Sequence, residues 1–223
     1  MTLEKKKLNS TVQIYCPADR GTGLIPDGDF QKKTEKPSLL LHSCCGPCST
    51  SVVERLTEEF DITVFFYNPC ITEEAEYQRR RSAQISFLEQ FNREHMGEVH
   101  IHLKEGDYRP TEFFRLTEGL EQEPEGGKRC TVCFRQRLEK TAETASLSGY
   151  DYFGTTLTVS PHKNYSLISE IGRGLTLKYG VSFLDRDFKK KDGFKRSIEL
   201  SKKYDLYRQT YCGCEYSKRR GDD

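Results

Sequence analysis

Residues 38–67 read SLLLHSCCGPCSTSVVERLTEEFDITVFFY. Ser38–His42 is a short apolar run of the kind a strand needs when both of its faces are covered. CCGPCS reads as a tight loop punctuated by Gly46 and Pro47. Ser49–Phe60 has helical spacing, with Val52, Val53, Leu56 and Phe60 on one face. Ile62–Tyr67, rich in β-branched and aromatic residues, is a second strand. Strand, loop, helix and strand in this order form a βαβ unit, which favours a parallel sheet.

The alternation continues downstream. Thr72–Glu94, Thr111–Thr117, Cys133–Leu147, Tyr165–Tyr179 and Phe194–Tyr204 read as helices. Val99–Leu103, Tyr152–Leu157 and Val181–Leu184 read as strands. The fold class is therefore α/β, with a parallel sheet between helices. Residues 1–36 carry Gly21, Gly23, Pro26 and Gly28 without sustained periodicity. They are expected to form a flexible N-terminal extension, leaving 37–220 as a single α/β domain.

The 223 residues suffice to bury a core without disulfides. Hydrophobic residues make up 35% and charged residues 31%, but 12 Tyr and 13 Phe argue against global disorder. The N-terminal MTLEKKKLNSTVQIYC lacks the apolar stretch of a secretory signal, and no run is long enough to span a bilayer. A cytoplasmic location and no membrane partner are expected. The net charge of +1 names no partner, but the charge is uneven. Residues 186–220 hold 12 Lys and Arg against 5 Asp and Glu, while 37–185 hold 16 against 22. A lysine-rich end is either a solvated face or a surface for a polyphosphate backbone.

Nine cysteines are the distinctive feature. In a reducing compartment they are not structural disulfides. Cys44, Cys45 and Cys48 form one group, Cys130 and Cys133 a second, Cys212 and Cys214 a third; Cys16 and Cys70 stand alone. The first group follows a strand at its carboxyl end and leads into a helix, two placements that favour a thiolate. Gly213 frees the backbone to turn Cys212 and Cys214 to one side. Three chemistries remain open. A structural zinc needs four ligands, which seven grouped thiols exceed. A thiol redox pair needs one C-x-x-C. An iron–sulfur cluster takes dispersed thiolates with looser spacing, leaving others for a second metal. His42, ending a buried strand, reads as a core or supporting histidine, and His95, His100 and His102 as surface residues. His162, Lys163 and Asn164 lie in a strand-end loop, where ligand contact concentrates.

HSCCGPCS (42–49), YNPCITEEAEYQRR (67–80), GKRCTVCFRQRLEKTAE (127–143), FGTTLTVSPHKN (153–164) and FLDRDFKKKDGFKRSIELSKKYDLYRQTYCGCEYS (183–217) together resemble the cobalamin-independent epoxyqueuosine reductases. The resemblance runs from about Leu39 to Ser217. It implies a Rossmann-like three-layer sandwich, similar to adenine nucleotide α-hydrolase and PP-loop folds. It also implies the last step of queuosine synthesis, reductive removal of the epoxide oxygen of epoxyqueuosine at the tRNA wobble position. The implied cofactors are a [4Fe–4S] cluster and an additional iron ion. By motif, Cys44, Cys45, Cys130, Cys133, Cys212 and Cys214 are the implied cluster-binding set, and Cys48 joins them as a metal ligand. Some members of the family carry an aspartate at the position of Cys48. At that of Cys70 the family pattern has asparagine, so no role is implied for this thiol.

On motif placement, Asp187, Tyr211 and Lys163 are candidates for the general acid. The implied partners are a tRNA anticodon loop and a one-electron donor such as ferredoxin or flavodoxin. Arg79–Arg81, Lys189–Lys191, Arg196 and Arg208 are expected to hold anticodon-stem phosphates, with Tyr and Phe stacking the splayed base. Two alternatives stand beside this reading. One is a zinc-stapled nucleic-acid-binding module. The other is a PP-loop-like tRNA thiolation or adenylation enzyme, against which CCGPCS stands where a glycine-rich phosphate loop belongs.

Overall fold

Leu39, Leu40 and Leu41 are completely buried, and they face two different cores. Leu39 and Leu41 pack with Val52, Val53, Leu56 and Phe87 on one side of the sheet. Leu40 packs with Leu138, Ala142 and Ile168 on the other. Alternation along a strand that is covered on both faces requires an unbroken apolar run, which is why SLLLH is not amphipathic. Burying each leucine contributes roughly 1.5–3 kcal/mol.

The structure is a computed structural model and describes residues 36–218. The strands are β1 (Ser38–Ser43), β2 (Asp61–Phe66), β3 (His102–Glu105), β4 (Tyr152–Thr155) and β5 (Ser182–Phe183). They form one sheet in the order β3-β2-β1-β4-β5, and every pairing is parallel. The helices are α1 (Gly46–Leu56), α2 (Glu74–Glu94), α3 (Pro110–Thr117), α4 (Lys128–Leu147), α5 (Tyr165–Tyr179) and α6 (Gly193–Lys203). Helices α1, α2 and α6 supply the core on one face of the sheet, α4 and α5 that on the other. This is the expected three-layer α/β fold. The extension expected over residues 1–36 falls outside the described residues except for Lys36, as do Cys16 and residues 219–220.

Two helices begin earlier than their periodicity indicates. CCGPC is not a free loop: Cys45 is the N-cap of α1, and Gly46, Pro47 and Cys48 form its first turn. Proline suits that position because its missing N–H would have no helical partner there. Helix α4 starts at Lys128 rather than Cys133, so Cys130 and Cys133 lie one turn apart inside the helix, and both are buried. Conversely, Tyr152–Leu157 is strand only to Thr155, and a short 3₁₀ turn covers Thr156–Val159. The Thr155 hydroxyl accepts the backbone N–H of Leu157 and turns the chain there.

Gly46 lets α1 lie against α2. A Cβ at that position would stand 2.5 Å from the carbonyl oxygen of Ala83, closer than real contacts allow. The order of strands reverses at β1, whose neighbours are β2 and β4. The carboxyl ends of β1 and β4 therefore frame the crevice in which open parallel sheets bind ligands.

Candidate metal centre and substrate cavity

Strand β1 ends at the crevice and hands over directly to Cys44, Cys45 and Cys48. Their three sulfurs lie within 4.8 Å of one another, a grouping able to hold a metal ion. Cys44 Sγ is 3.8 Å from Cys45 Sγ. Hydrogen bonds from Cys44 and Cys48 hold the Cys45 thiol well below its ordinary pKa. The same contacts push Cys48 well up, since sharing one charge makes the next ionisation harder. The Gln209 amide donates to Cys45 Sγ at 3.1 Å.

Helix α4 brings the second pair. The backbone N–H of Gly126 donates to Cys130 Sγ at 3.2 Å. Arg137, one turn beyond Cys133 and completely buried on the same face, donates from Nη2 to Cys133 Sγ at 3.2 Å and from Nε to the Cys133 carbonyl at 3.2 Å. Burial opposes its charge, but the Cys133, Cys70, Cys212 and Cys44 sulfurs around it raise its pKa further still.

The third pair comes from the segment after α6. Gly213 has φ +127°, a conformation that L side chains rarely adopt, and it bends the chain between Cys212 and Cys214. The segment is clamped by Arg80, whose guanidinium donates to the carbonyls of Tyr211 (3.0 Å) and Cys212 (2.9 Å). Glu76 in turn holds Arg80 Nε at 2.6 Å. Lys163, from the loop after β4, donates to Cys212 Sγ at 2.8 Å and lies 3.4 Å from Glu125. Burial works against the ammonium, and the Cys212 sulfur overrides it, so the Lys163 pKa is raised. At least one sulfur of every group thus accepts an N–H bond, the environment that suits a thiolate.

Two cavities join these groups. A tight one of about 10 Å³ is lined by Cys70, Cys130, Cys133, Cys212 and Cys214 together with Phe113, Phe134, Arg129 and Arg137. A larger one of about 250 Å³ has Cys44, Cys48 and Cys212 in its wall, with Arg80, Glu125, Arg137, His162, Lys163, Arg208, Gln209 and Tyr211. Cys212 and Arg137 line both. All seven grouped cysteines come to this one region.

Lys163 and Tyr211 meet at the larger cavity, whereas Asp187 lines neither; its carboxylate accepts the backbone N–H of Lys189 at 3.2 Å. The Tyr211 hydroxyl lies 3.2 Å from a Glu73 carboxylate oxygen, and burial raises its pKa. Asn164 caps α5 instead of facing the cavity. His42 is a core residue: Nε2 donates to the Tyr67 carbonyl at 3.1 Å and Nδ1 accepts from the Thr155 hydroxyl at 3.0 Å. Burial, with Arg137 nearby, lowers its pKa to about 4 and keeps it neutral.

Part of the expected phosphate-contact set is corrected. Arg80 is 1% exposed and committed to Glu76 and two carbonyls, so it cannot reach a solvent-borne phosphate. Arg81 pairs bidentately with Glu105, and Arg196 with Glu54 and Glu199. Arg79, Lys190, Lys191 and Arg208 remain exposed.

Sequence reasoning left Arg137 and Gln209 out of the site and gave Arg80 a different part, as a phosphate contact. Cys70, which the sequence places nearer the site than Cys16 but without a role, stands just past the carboxyl end of β2, the strand paired with β1 through Ser43 and Phe66. For Arg137 the available signal was the i, i+4 spacing from Cys133.

A family model described as epoxyqueuosine reductase QueH matches residues 39–220. Proteins of that name from Streptococcus pyogenes serotype M1 and Staphylococcus epidermidis are 46% and 45% identical to this chain. The first alignment covers 87% of this chain and 76% of the relative, the second 84% and 79%. The one from Thermotoga maritima is 34% identical over 81% of this chain and 90% of its own. Spanning every cysteine of the two cavities, the match shows that the chain belongs to the epoxyqueuosine reductase QueH family.

Proposed function

We propose that this protein is an epoxyqueuosine reductase that removes the epoxide oxygen of epoxyqueuosine at the tRNA wobble position. The observation that carries the reading is the convergence of three separate cysteine groups on one crevice beside a 250 Å³ cavity, in a chain of this family. Neither the zinc-stapled module nor the PP-loop enzyme gains comparable support.

The thiols fit a metal centre. Sulfurs around one tetrahedral ion at ~2.3 Å lie roughly 3.8 Å apart, close to the Cys44–Cys45 spacing of 3.8 Å. Cys44, Cys45 and Cys48 therefore suit a single iron. Cys130, Cys133, Cys212 and Cys214 meet the four-thiolate demand of a [4Fe–4S] cluster. When bound, such a centre supplies electrons singly and a Lewis acid for the epoxide oxygen.

Converting the epoxide to an alkene consumes two electrons and two protons and releases water. Lys163 Nζ is the proton source best placed for it. Its side chain is 10% exposed, lines the cavity and is charged throughout the physiological range. Tyr211, kept protonated by its raised pKa, is a second donor at the cavity wall. Arg137 and Arg80 offset the negative charge that the thiolates bring into a buried site.

The tRNA presents its wobble base unstacked, and Arg79, Lys190, Lys191 and Arg208 take up backbone phosphates around it. An external one-electron donor such as ferredoxin or flavodoxin recharges the centre. The protein acts in the cytoplasm, and among the described residues no helix is long and apolar enough to cross a membrane. Residues 1–36 serve as an extension of the 37–220 catalytic domain. The test is anaerobic incubation of the iron-loaded protein and a reductant with tRNA carrying epoxyqueuosine, followed by mass analysis of the nucleosides. Loss of one oxygen from the modified nucleoside is expected; a protein that binds only zinc and leaves it unchanged overturns the reading.

A further inference from the structure

Five thiols, not four, line the tight cavity: Cys70, Cys130, Cys133, Cys212 and Cys214. Cys70 is 3% exposed and packs in one buried cluster with Cys133, Cys214 and Phe113. It is not a stray core thiol on a mobile loop. The loop after β2 is pinned by the Asn68 amide, which donates to the Ser43 carbonyl at 2.9 Å. The Thr72 N–H then bonds the carbonyl of Gly213, between the two cysteines of the third pair. Cys70 and Cys133 pack in that one cluster and both line the cavity, so the loop after β2 and helix α4 bring their thiols to the same part of its wall. A [4Fe–4S] cluster needs four thiolates, and this wall offers five.

We propose that Cys70 belongs to the metal centre and shares one ligand position with Cys133, either thiol being able to supply the thiolate there. The proposal rests on the metal-centre reading above. Arg137, whose Nη2 reaches Cys133 Sγ, is buried between the cavities and offers a charge partner whichever sulfur ligates. The backbone anchors of Cys70 and Cys133 lie in different elements, a β2 loop and α4. Losing one thiol therefore leaves the other in place.

The test uses the full chain, reconstituted anaerobically with ferrous iron and sulfide, and reads iron and sulfide per chain with the absorbance and electron paramagnetic resonance spectra. Wild type, Cys70→Ala, Cys133→Ala, the double variant and Cys130→Ala are compared, with circular dichroism of each metal-free form to verify folding. Serine replaces alanine where an alanine variant unfolds. Each single variant at 70 or 133 is expected to keep wild-type iron and sulfide content, Cys133→Ala with a shifted resonance spectrum. The double variant is expected to fall to the level of Cys130→Ala. A folded Cys133→Ala as empty as the double variant overturns the proposal, and so does a double variant that fills like wild type. A wild-type chain that takes up no iron and sulfide overturns the metal-centre reading itself, and is told apart from both by the first sample.

Discussion

Lys163 Nζ donates to Cys212 Sγ at 2.8 Å while its own chain leaves the loop after β4, so one cation links the sheet's crevice to the C-terminal cysteine pair. The contact gives Lys163 two roles, partner of a sulfur and proton source at the larger cavity. Lys163→Gln is expected to lower turnover by about 10²–10⁴-fold, the usual worth of a general acid, while iron and sulfide content stays within reach of wild type. Single-turnover kinetics with matched metal content checks this. Unchanged turnover would move the proton role to Tyr211.

Metal binding should stabilise the fold, because a site assembled from three chain segments does not exist in the unfolded state. The loaded protein is expected to unfold at a higher temperature than the metal-free form, and Cys130→Ala or Cys214→Ala to lose both colour and that increment. Cys48 gives a finer contrast. Cys48→Asp should retain partial activity, because carboxylate also ligates iron, whereas Cys48→Ala loses activity but keeps most cluster absorbance. Equal loss of cluster absorbance in both would place Cys48 among the cluster ligands.

Arg80 is a structural clamp. Arg80→Met removes the donor of Glu76 Oε1 and of the carbonyls of Tyr211 and Cys212 in a buried setting, leaving Glu76 only its bond from the Tyr207 hydroxyl. Breaking a buried pair by removing one partner typically costs about 3–5 kcal/mol. Urea unfolding should register a loss of that order, and metal uptake should fall with it because Cys212 is no longer held. A cost near zero would contradict the burial of the pair.

Gly46→Ala pushes a methyl carbon to 2.5 Å from the Ala83 carbonyl oxygen. Helix α1 must move away from α2, at a cost of roughly 1–3 kcal/mol for an overpacked contact. Because Cys45 and Cys48 flank Gly46, the variant is expected to bind iron less tightly than its loss of stability alone explains. Titration of the metal-free variant with ferrous iron measures the difference.

The surface cations separate into two sets. Neutralising Lys190 and Lys191 is expected to weaken tRNA binding and flatten its log–log salt dependence by roughly 0.7–0.9 per lost phosphate contact, without altering the metal spectrum. Arg81→Gln and Arg196→Gln should leave the slope unchanged, since Glu105 and Glu54 already engage those guanidinium groups. Binding measured across a salt series distinguishes the sets.

Local pattern determined a good deal of this protein. The run SLLLH, the β-branched ITVFF and the spacing of Tyr165–Tyr179 follow from side-chain period and burial, which neighbouring residues carry by themselves. Helix α5 begins and ends where that spacing places it. The three cysteine groups were also visible, and Gly213 stands between the two cysteines of the third with the positive φ its lack of a Cβ permits. The starts of α1 and α4 were less legible, because Cys and Lys carry no strong periodic signal and a proline marks a helix start as readily as a loop.

Adjacency across the chain was decided only by the tertiary structure. The strand order β3-β2-β1-β4-β5 brings the loop after β2 against helix α4, and so sets Cys70 beside Cys133, 63 residues away in sequence. The same packing turns Arg80 inward as a clamp and leaves Arg79, its neighbour on α2, exposed. It also makes Arg137 the counter-charge of four sulfurs. A period of 3.6 or 2 assigns a face to each residue but does not say which element will cover that face. That depends on which way each crossover returns to the sheet, and so on the burial gained by the whole fold.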